Sequence, residues 1–196
     1  GDRIRWVTST CSHPDHSGAI NELIDRTGAE KLELVDGDTI LGTEFRITAH
    51  DMGGPVTNHK SFLLEEERTL ISGKLISEDL SIPLISEDSD LIQYHASFQK
   101  IMKMRLKRFA PAFGHVIEDP KGAVATTIDN FNKVDKEILK AIKKGATSPE
   151  EVVTANHSKI TDPEQAAEIA KSIEVHLTKL ADDKSVKQLK SGWKIR

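Results

Sequence analysis

Along the first hundred or so residues, short stretches whose apolar positions alternate with polar ones, the period of two that marks strands, are interspersed with helical stretches; beyond them apolar positions recur every three or four residues, as in helices. Residues 3–8 read as a strand, and a polar loop over 9–18 leads into a short helix over 19–26 with Ile20, Leu23 and Ile24 on one face. Thr27-Gly28 ends that helix, with Gly28 as a left-handed cap. Residues 31–35 alternate, Asp36-Gly37-Asp38 marks a turn, and residues 45–48 alternate again. Residues 61–64 and 69–72 form a hairpin around Glu65-Glu66-Glu67. Leu91, Tyr94, Phe98, Ile101 and Met102 then line one face of an amphipathic helix, and residues 109–111 open the next strand or loop.

The second part of the chain is helical. Val124, Ile128, Phe131, Val134, Ile138 and Ile142 share a face that Gly145 terminates. Ser148-Pro149-Glu150-Glu151 is a capping box with proline at the first helical position, and Asp162-Pro163-Glu164-Gln165 repeats the signal. The helix that follows carries Ala166, Ile169, Ile173, Leu177 and Leu180. Residues 185–196 read as a hairpin turning at Ser191-Gly192, and helices closed by such a hairpin describe a winged-helix module. Residues 133–196 hold 13 basic and 10 acidic side chains, whereas the remainder has a net charge of −7. Two units are therefore expected, residues 1–120 and 121–196.

Composition narrows the class. The chain has 196 residues, 30% charged and 37% hydrophobic, with a mean hydropathy of −0.39, a globular balance that excludes disordered and fibrous classes. Its net charge of −4 argues against a general nucleic-acid binder. No apolar run approaches the roughly 20 residues of a membrane span, so no membrane partner is expected. The single cysteine, Cys11, excludes an internal disulfide and suits a reducing compartment. No secretion signal precedes the first strand, which implies an intracellular location, cytoplasm or organelle matrix. The chain opens at Gly1-Asp2 without methionine, so a segment upstream is an open alternative.

Candidate chemistry is concentrated in Thr10-Cys11-Ser12-His13-Pro14-Asp15-His16-Ser17-Gly18, between a strand and a helix. This loop resembles the metallo-β-lactamase superfamily signature, threonine then His-x-His-x-Asp-His and glycine. The resemblance continues in the turn at Asp36-Gly37-Asp38, in the hairpin ending Ser72-Gly73, and in Pro111-Ala112-Phe113-Gly114-His115-Val116-Ile117. It implies an α/β fold, here a partial αββα sandwich lacking its first strands, followed by a small C-terminal winged-helix domain. It also implies a branch that includes endoribonuclease-type members, and a dinuclear centre whose metal-bound hydroxide hydrolyses an ester, thioester or phosphodiester.

The departures from that pattern shape the functional expectation. His13, Asp15 and His16 match the family's ligand positions; Cys11, Pro55, Lys74 and Phe113 stand where the resemblance implies three histidines and a bridging aspartate. Three ligands divided between two ions do not make a catalytic zinc site, which has three protein ligands and a water. Lys74 opposes a cation, and its ammonium is expected to pair with Asp15 where metal would sit. The expected function is a catalytically inactive binding or assembly module without cofactor. The alternative is a hydrolase with a mononuclear zinc at His13, Asp15 and His16, Asp15 being catalytic, and with Cys11, His50, His59 or His115 as replacement ligands. Lone histidines are otherwise expected on surfaces or loops, and more so for His95, His157 and His176 on helices.

Two partner expectations follow. An incomplete sheet exposes an apolar face and an open edge, so a protein partner or a homo-oligomer should cover it. Lys184, Lys187, Lys190, Lys194 and Arg196 on the terminal hairpin are candidate RNA or DNA phosphate contacts.

Overall fold

The computed structural model describes residues 3–77, 85–157 and 159–196. It shows a mixed α/β architecture. Strand β1 (Trp6–Val7) runs into a loop holding the short α1 (Pro14–Ser17), then α2 (Ile20–Thr27) and β2 (Glu30–Lys31), which pairs parallel to β1. The strand expected over 31–35 is therefore shorter and shifted. Leu32 and Leu34 keep their alternation as half-buried side chains, but beyond Leu32, whose N–H donates to Val7 O, no strand among the described residues takes up the backbone. Gly28 has φ 69° and accepts the expected capping role, its N–H bonding Ile24 O.

A five-stranded sheet follows in the order β3 (Thr39–Leu41), β4 (Arg46–Asp51), β5 (Lys60–Leu64), β6 (Thr69–Gly73), β7 (Arg108–Pro111); only β6–β7 is parallel. Cross-strand partners share a face. One face bears Leu63, Leu70 and Phe109, aligned across β5, β6 and β7. These pack with Leu91, Tyr94, Phe98 and Ile101 of α3 (Leu91–Lys103) and with Val124 and Phe131 of α4 (Pro120–Lys143). Met102, expected in the buried stripe of α3, is 43% exposed, because Ile101 already occupies the direction facing the sheet. The opposite face carries Ile40, Ile47, Leu64 and Ile71, and these are half-buried or exposed.

The 24-residue α4 contributes to two cores. Ala123, Val124 and Phe131 belong to the first; Ile138, Ala141 and Ile142 pack with α5 (Pro149–Asn156), α6 (Pro163–Asp182) and the hairpin β8 (Val186–Leu189), β9 (Gly192–Ile195). Ser148 and Asp162 cap α5 and α6 through their side chains, as their sequence signals imply. The terminal hairpin is anchored by Trp193, 7% exposed, whose N–H donates to Thr147 O at 2.8 Å. Its turn falls at 190–191, one residue earlier than expected, since Gly192 already pairs with Leu189. Between the two cores, Asp135 of α4 accepts from His176 Nδ1 at 2.7 Å and from Lys179 Nζ at 2.8 Å, both on α6. His176 is thus wholly buried rather than on a surface. Burial alone would raise the Asp135 pKa, but these two donors hold it below the usual carboxylate range. Among the described residues no helix is long and apolar enough to cross a membrane.

Candidate functional site

A proline shapes the loop that follows β1. The residue before a proline is driven to extended backbone, and His13, preceding Pro14, has φ −63° and ψ 143°. Pro14 opens α1, where its missing N–H costs nothing, so Asp15 and His16 share a single turn. Ser17 Oγ donates to the carbonyls of Ser12 and His13 at 2.9 and 3.0 Å, which ties the turn to the loop. A Cβ at Gly18 would fall 2.6 Å from Pro14 O, so the turn closes on glycine.

Lys74 approaches from the end of β6. The β6–β7 register shifts between Ile71 and Gly73, and Gly73 takes φ 57°. The chain thereby turns and places Lys74 Nζ 3.0 Å from Asp15 Oδ2 and 3.2 Å from Oδ1. The hydrogen bond and charge of Lys74 hold the Asp15 carboxyl below its ordinary range. Tyr94, a buried residue of α3, donates its hydroxyl to Lys74 O at 3.3 Å and steadies the same turn.

His16 is nearly enclosed. Its Nδ1 lies 3.3 Å from Thr10 Oγ1, and the ring of Phe113 meets it edge-on at 5.9 Å. Its Nε2 is 3.4 Å from Asp15 Oδ2, close enough for ion pairing but without hydrogen-bond geometry, so that nitrogen is buried and unpartnered. Burial lowers the His16 pKa, against the pull of Asp15. His13 Nε2 stands 3.6 Å from Asp88 Oδ2. Phe113 itself is 60% exposed.

His59, expected on a loop or surface, is 1% exposed. The Lys74 N–H can only donate, so His59 Nε2 accepts from it at 3.1 Å. Nδ1 then carries the proton and donates to Met52 O at 3.0 Å. Burial pulls the His59 pKa down to about 4. Both ring nitrogens are spent on the backbone, one of them on the residue that carries the ammonium.

The other candidates disperse. Cys11 is buried at 6% exposure and lines a polar cavity of about 420 Å³ with Asn21, Asn58 and Lys60. His50 on β4 lies 3.9 Å from Asp36 Oδ1, which also accepts from Lys100 Nζ at 2.6 Å. Pro55 is buried and His115 exposed. Lys184, Lys187, Lys190, Lys194 and Arg196 are exposed, with Lys187 directly opposite Lys194 in the hairpin.

A dinuclear metal centre does not fit these residues. Among the described residues, no group of three or more His, Cys, Asp or Glu side chains is arranged to hold a metal ion. The carboxylate of the signature loop is already bound by an ammonium.

No family model matches the chain. Curated relatives include "Beta-lactamase-like protein 2 homolog" of Caenorhabditis elegans, 27% identical over 72% of this chain and 52% of the relative. "Lactamase-like protein aptB" of Emericella nidulans is 25% identical over 93% of this chain and 65% of the relative. "Atrochrysone carboxyl ACP thioesterase" of Claviceps purpurea is 26% identical over 71% of this chain and 47% of the relative. The chain thus spans about half to two thirds of the length of these relatives. Among solved structures, a β-lactamase domain protein from Burkholderia ambifaria matches all of this chain and 75% of its own at TM-score 0.84 and 16% identity. A metallo-β-lactamase family protein from Thermus thermophilus matches 90% of this chain and 59% of its own at TM-score 0.70 and 17% identity. The chain has the metallo-β-lactamase superfamily fold.

Sequence reasoning missed Asp88, which lies outside every motif yet faces His13, and the double engagement of His59. Only the pairing of β4 with β5 and the turn after β6 bring His59 to Met52 and Lys74.

Proposed function

We propose that this chain is a non-catalytic member of its fold class that acts as a binding or assembly module, with the Lys74 ammonium in place of metal charge beside Asp15. The observation that carries this reading is the approach of Lys74 Nζ to both Asp15 oxygens, at 3.0 and 3.2 Å. Such a cation already neutralises the carboxylate. It would oppose a divalent ion about 4 Å away by roughly 8 kcal/mol, twice the unit-charge term at an effective dielectric of about 20. The spent nitrogens of His59 and the phenyl ring of Phe113 beside His16 support the same reading. Within it, α4 to α6 and the β8–β9 hairpin serve as a winged-helix-like unit.

Elemental analysis of the purified chain, joined to hydrolysis assays on ester, thioester and phosphodiester substrates with and without added zinc or manganese, tests the proposal. Far less than one equivalent of metal and no turnover above the blank are expected. Stoichiometric zinc or iron, or metal-dependent turnover, would overturn it. A second reading is a hydrolase with a single metal ion held by a reduced site of His13, Asp15 and His16. Two observations favour it: the thioesterase name of one relative, and the buried, unpartnered Nε2 of His16. It requires Lys74 to leave Asp15.

A further inference from the structure

We propose that the seam between α3 and α6 is an acid-released latch: a proton taken up at His95 lets α6 withdraw from α3, with the middle of α4 as the pivot, while both cores stay folded. This inference does not depend on whether the site beside Asp15 holds metal.

Three observations converge on the seam. The first is packing. Leu91 and Ile92 of α3 and Val175, Thr178 and Lys179 of α6 line a cavity of about 460 Å³. Val175 packs against the first core, and Lys171 Nζ of α6 reaches Glu87 Oε2, just before α3, at 2.8 Å with both side chains exposed. A cavity forfeits the contacts its walls would otherwise make, and an exposed ion pair adds little, so the two helices adhere weakly. The N-terminal half of α4 lies in the first core and its C-terminal half in the second, with Ile173, Leu177 and Leu180 of α6. Small sliding of α6 against α3 therefore leaves both cores assembled, a movement typical of packed helices.

The second is a polar atom without a partner. His176 is wholly buried and gives Nδ1 to Asp135, but its Nε2 has no hydrogen-bond partner among the described residues. The rings of His176 and His95 meet Phe131 edge-on at 6.0 and 6.4 Å, so a movement that bares His95 also brings water toward His176. An unsatisfied buried nitrogen disfavours the closed seam, and hydration on opening removes that cost.

The third is charge, and it names the sensor. His95 is half-buried on α3; the groups that face it are Asp135 of α4 and His176, Lys179 and Asp183 of α6. Both oxygens of Asp135 are engaged by His176 and Lys179, and Lys179 Nζ also lies 2.8 Å from Asp183 Oδ2. Burial, and after it the Lys179 ammonium, oppose a charge on His95 more than Asp135 and Asp183 favour one, so its pKa lies below 6.5 in the closed seam. An opened seam hydrates the ring and takes the proton more readily. The closed form is thus fully favoured above about pH 6.5 and loses that advantage as pH falls below it.

The test uses the full chain carrying Val175→Cys, which puts a thiol in the seam, while native Cys11, 6% exposed in the first unit, reports general unfolding. Labelling by a dipyridyl disulfide, read by peptide mass and divided by the rate of an unstructured peptide at the same pH, gives the protection of each thiol. At every pH the introduced thiol should be at least about tenfold less protected than Cys11, as an opening short of unfolding requires. From pH 7.5 to 5.5 its protection should fall severalfold, toward the limit of about tenfold for one proton on a histidine that titrates near 6.5 when exposed. With His95→Gln added, which takes up no proton, protection should stay within about twofold over the same range. With His95→Lys, a cation throughout, the seam thiol should label at pH 7.5 as fast as the parent does at pH 5.5. Equal protection of the two thiols would assign the opening to general unfolding and overturn the proposal. So would a fall of less than about twofold in the parent, or a fall in His95→Gln as large as the parent's.

Discussion

Acidification should destabilise this chain through His59 in particular, and the size of the effect follows from its surroundings. His59 is enclosed, accepts from the Lys74 N–H and donates to Met52 O, so its ring is neutral in the folded state and its pKa falls from 6.5 to about 4. The unfolded chain binds a proton at His59 near pH 6.5; the folded chain resists it until about pH 4. The stability that His59 contributes is therefore complete above about pH 6.5 and is lost progressively as pH falls toward 4. A displacement of this size corresponds to about 3 kcal/mol at roughly 1.4 kcal/mol per pKa unit, a large share of the roughly 5–15 kcal/mol that holds an ordinary domain together. Urea denaturation of the wild type and His59→Asn between pH 7.5 and 4.5 isolates this share, because asparagine does not titrate. At neutral pH the variant should be less stable by about 1–3 kcal/mol, since the Lys74 N–H loses its acceptor. On acidification the variant should lose less, so that the two stability curves converge. Parallel curves over that range would refute the assignment of a neutral, doubly bonded His59.

Other perturbations probe the remaining links. Lys74→Asp removes the ammonium and adds a carboxylate beside Asp15; zinc affinity measured by calorimetry should rise at least tenfold, and no rise would show that the ammonium is not what opposes a cation there. Asp135→Asn removes the charge and one of the two acceptor oxygens that His176 and Lys179 engage in the joint between α4 and α6 and should cost about 3 kcal/mol in urea denaturation, with a loss below 1 kcal/mol counting against the network. Gly73→Ala places a Cβ 2.7 Å from His59 Nε2 and 2.8 Å from Thr10 Oγ1 at a φ of 57°; a fall in melting temperature of several degrees is expected, and an unchanged value would mean that the turn can relax.

Where local chemistry sets the outcome, the sequence was legible. Ser148-Pro149-Glu150-Glu151 and Asp162-Pro163 start helices wherever they stand, because the cap and the proline satisfy the first turn from within it. Gly28 and Gly145 take the left-handed backbone their neighbours would resist. The period-3.6 stripe of α4 was readable, although not the way its two ends serve two different cores. The strand expected over 31–35 shows the limit: alternation fixes which side chains turn inward, but a strand also needs a hydrogen-bonding neighbour, and Lys31 is the last residue that has one in a ladder.

The amino-acid order alone determined the superfamily resemblance, the cluster of His13, Asp15 and His16 on one proline-started turn, and the presence of a lysine where the resemblance implies an aspartate. Those are properties of neighbouring residues, and neighbours interact whatever the rest of the chain does. Tertiary structure decided which distant groups meet: Lys74 with Asp15 across 59 positions, His59 with Met52 O and the Lys74 N–H, Asp88 with His13, and Asp135 with His176 and Lys179. A charge or a ring nitrogen acts over a few ångströms, so its chemical meaning is set by the side chain that folding brings within that reach and not by the one beside it in sequence.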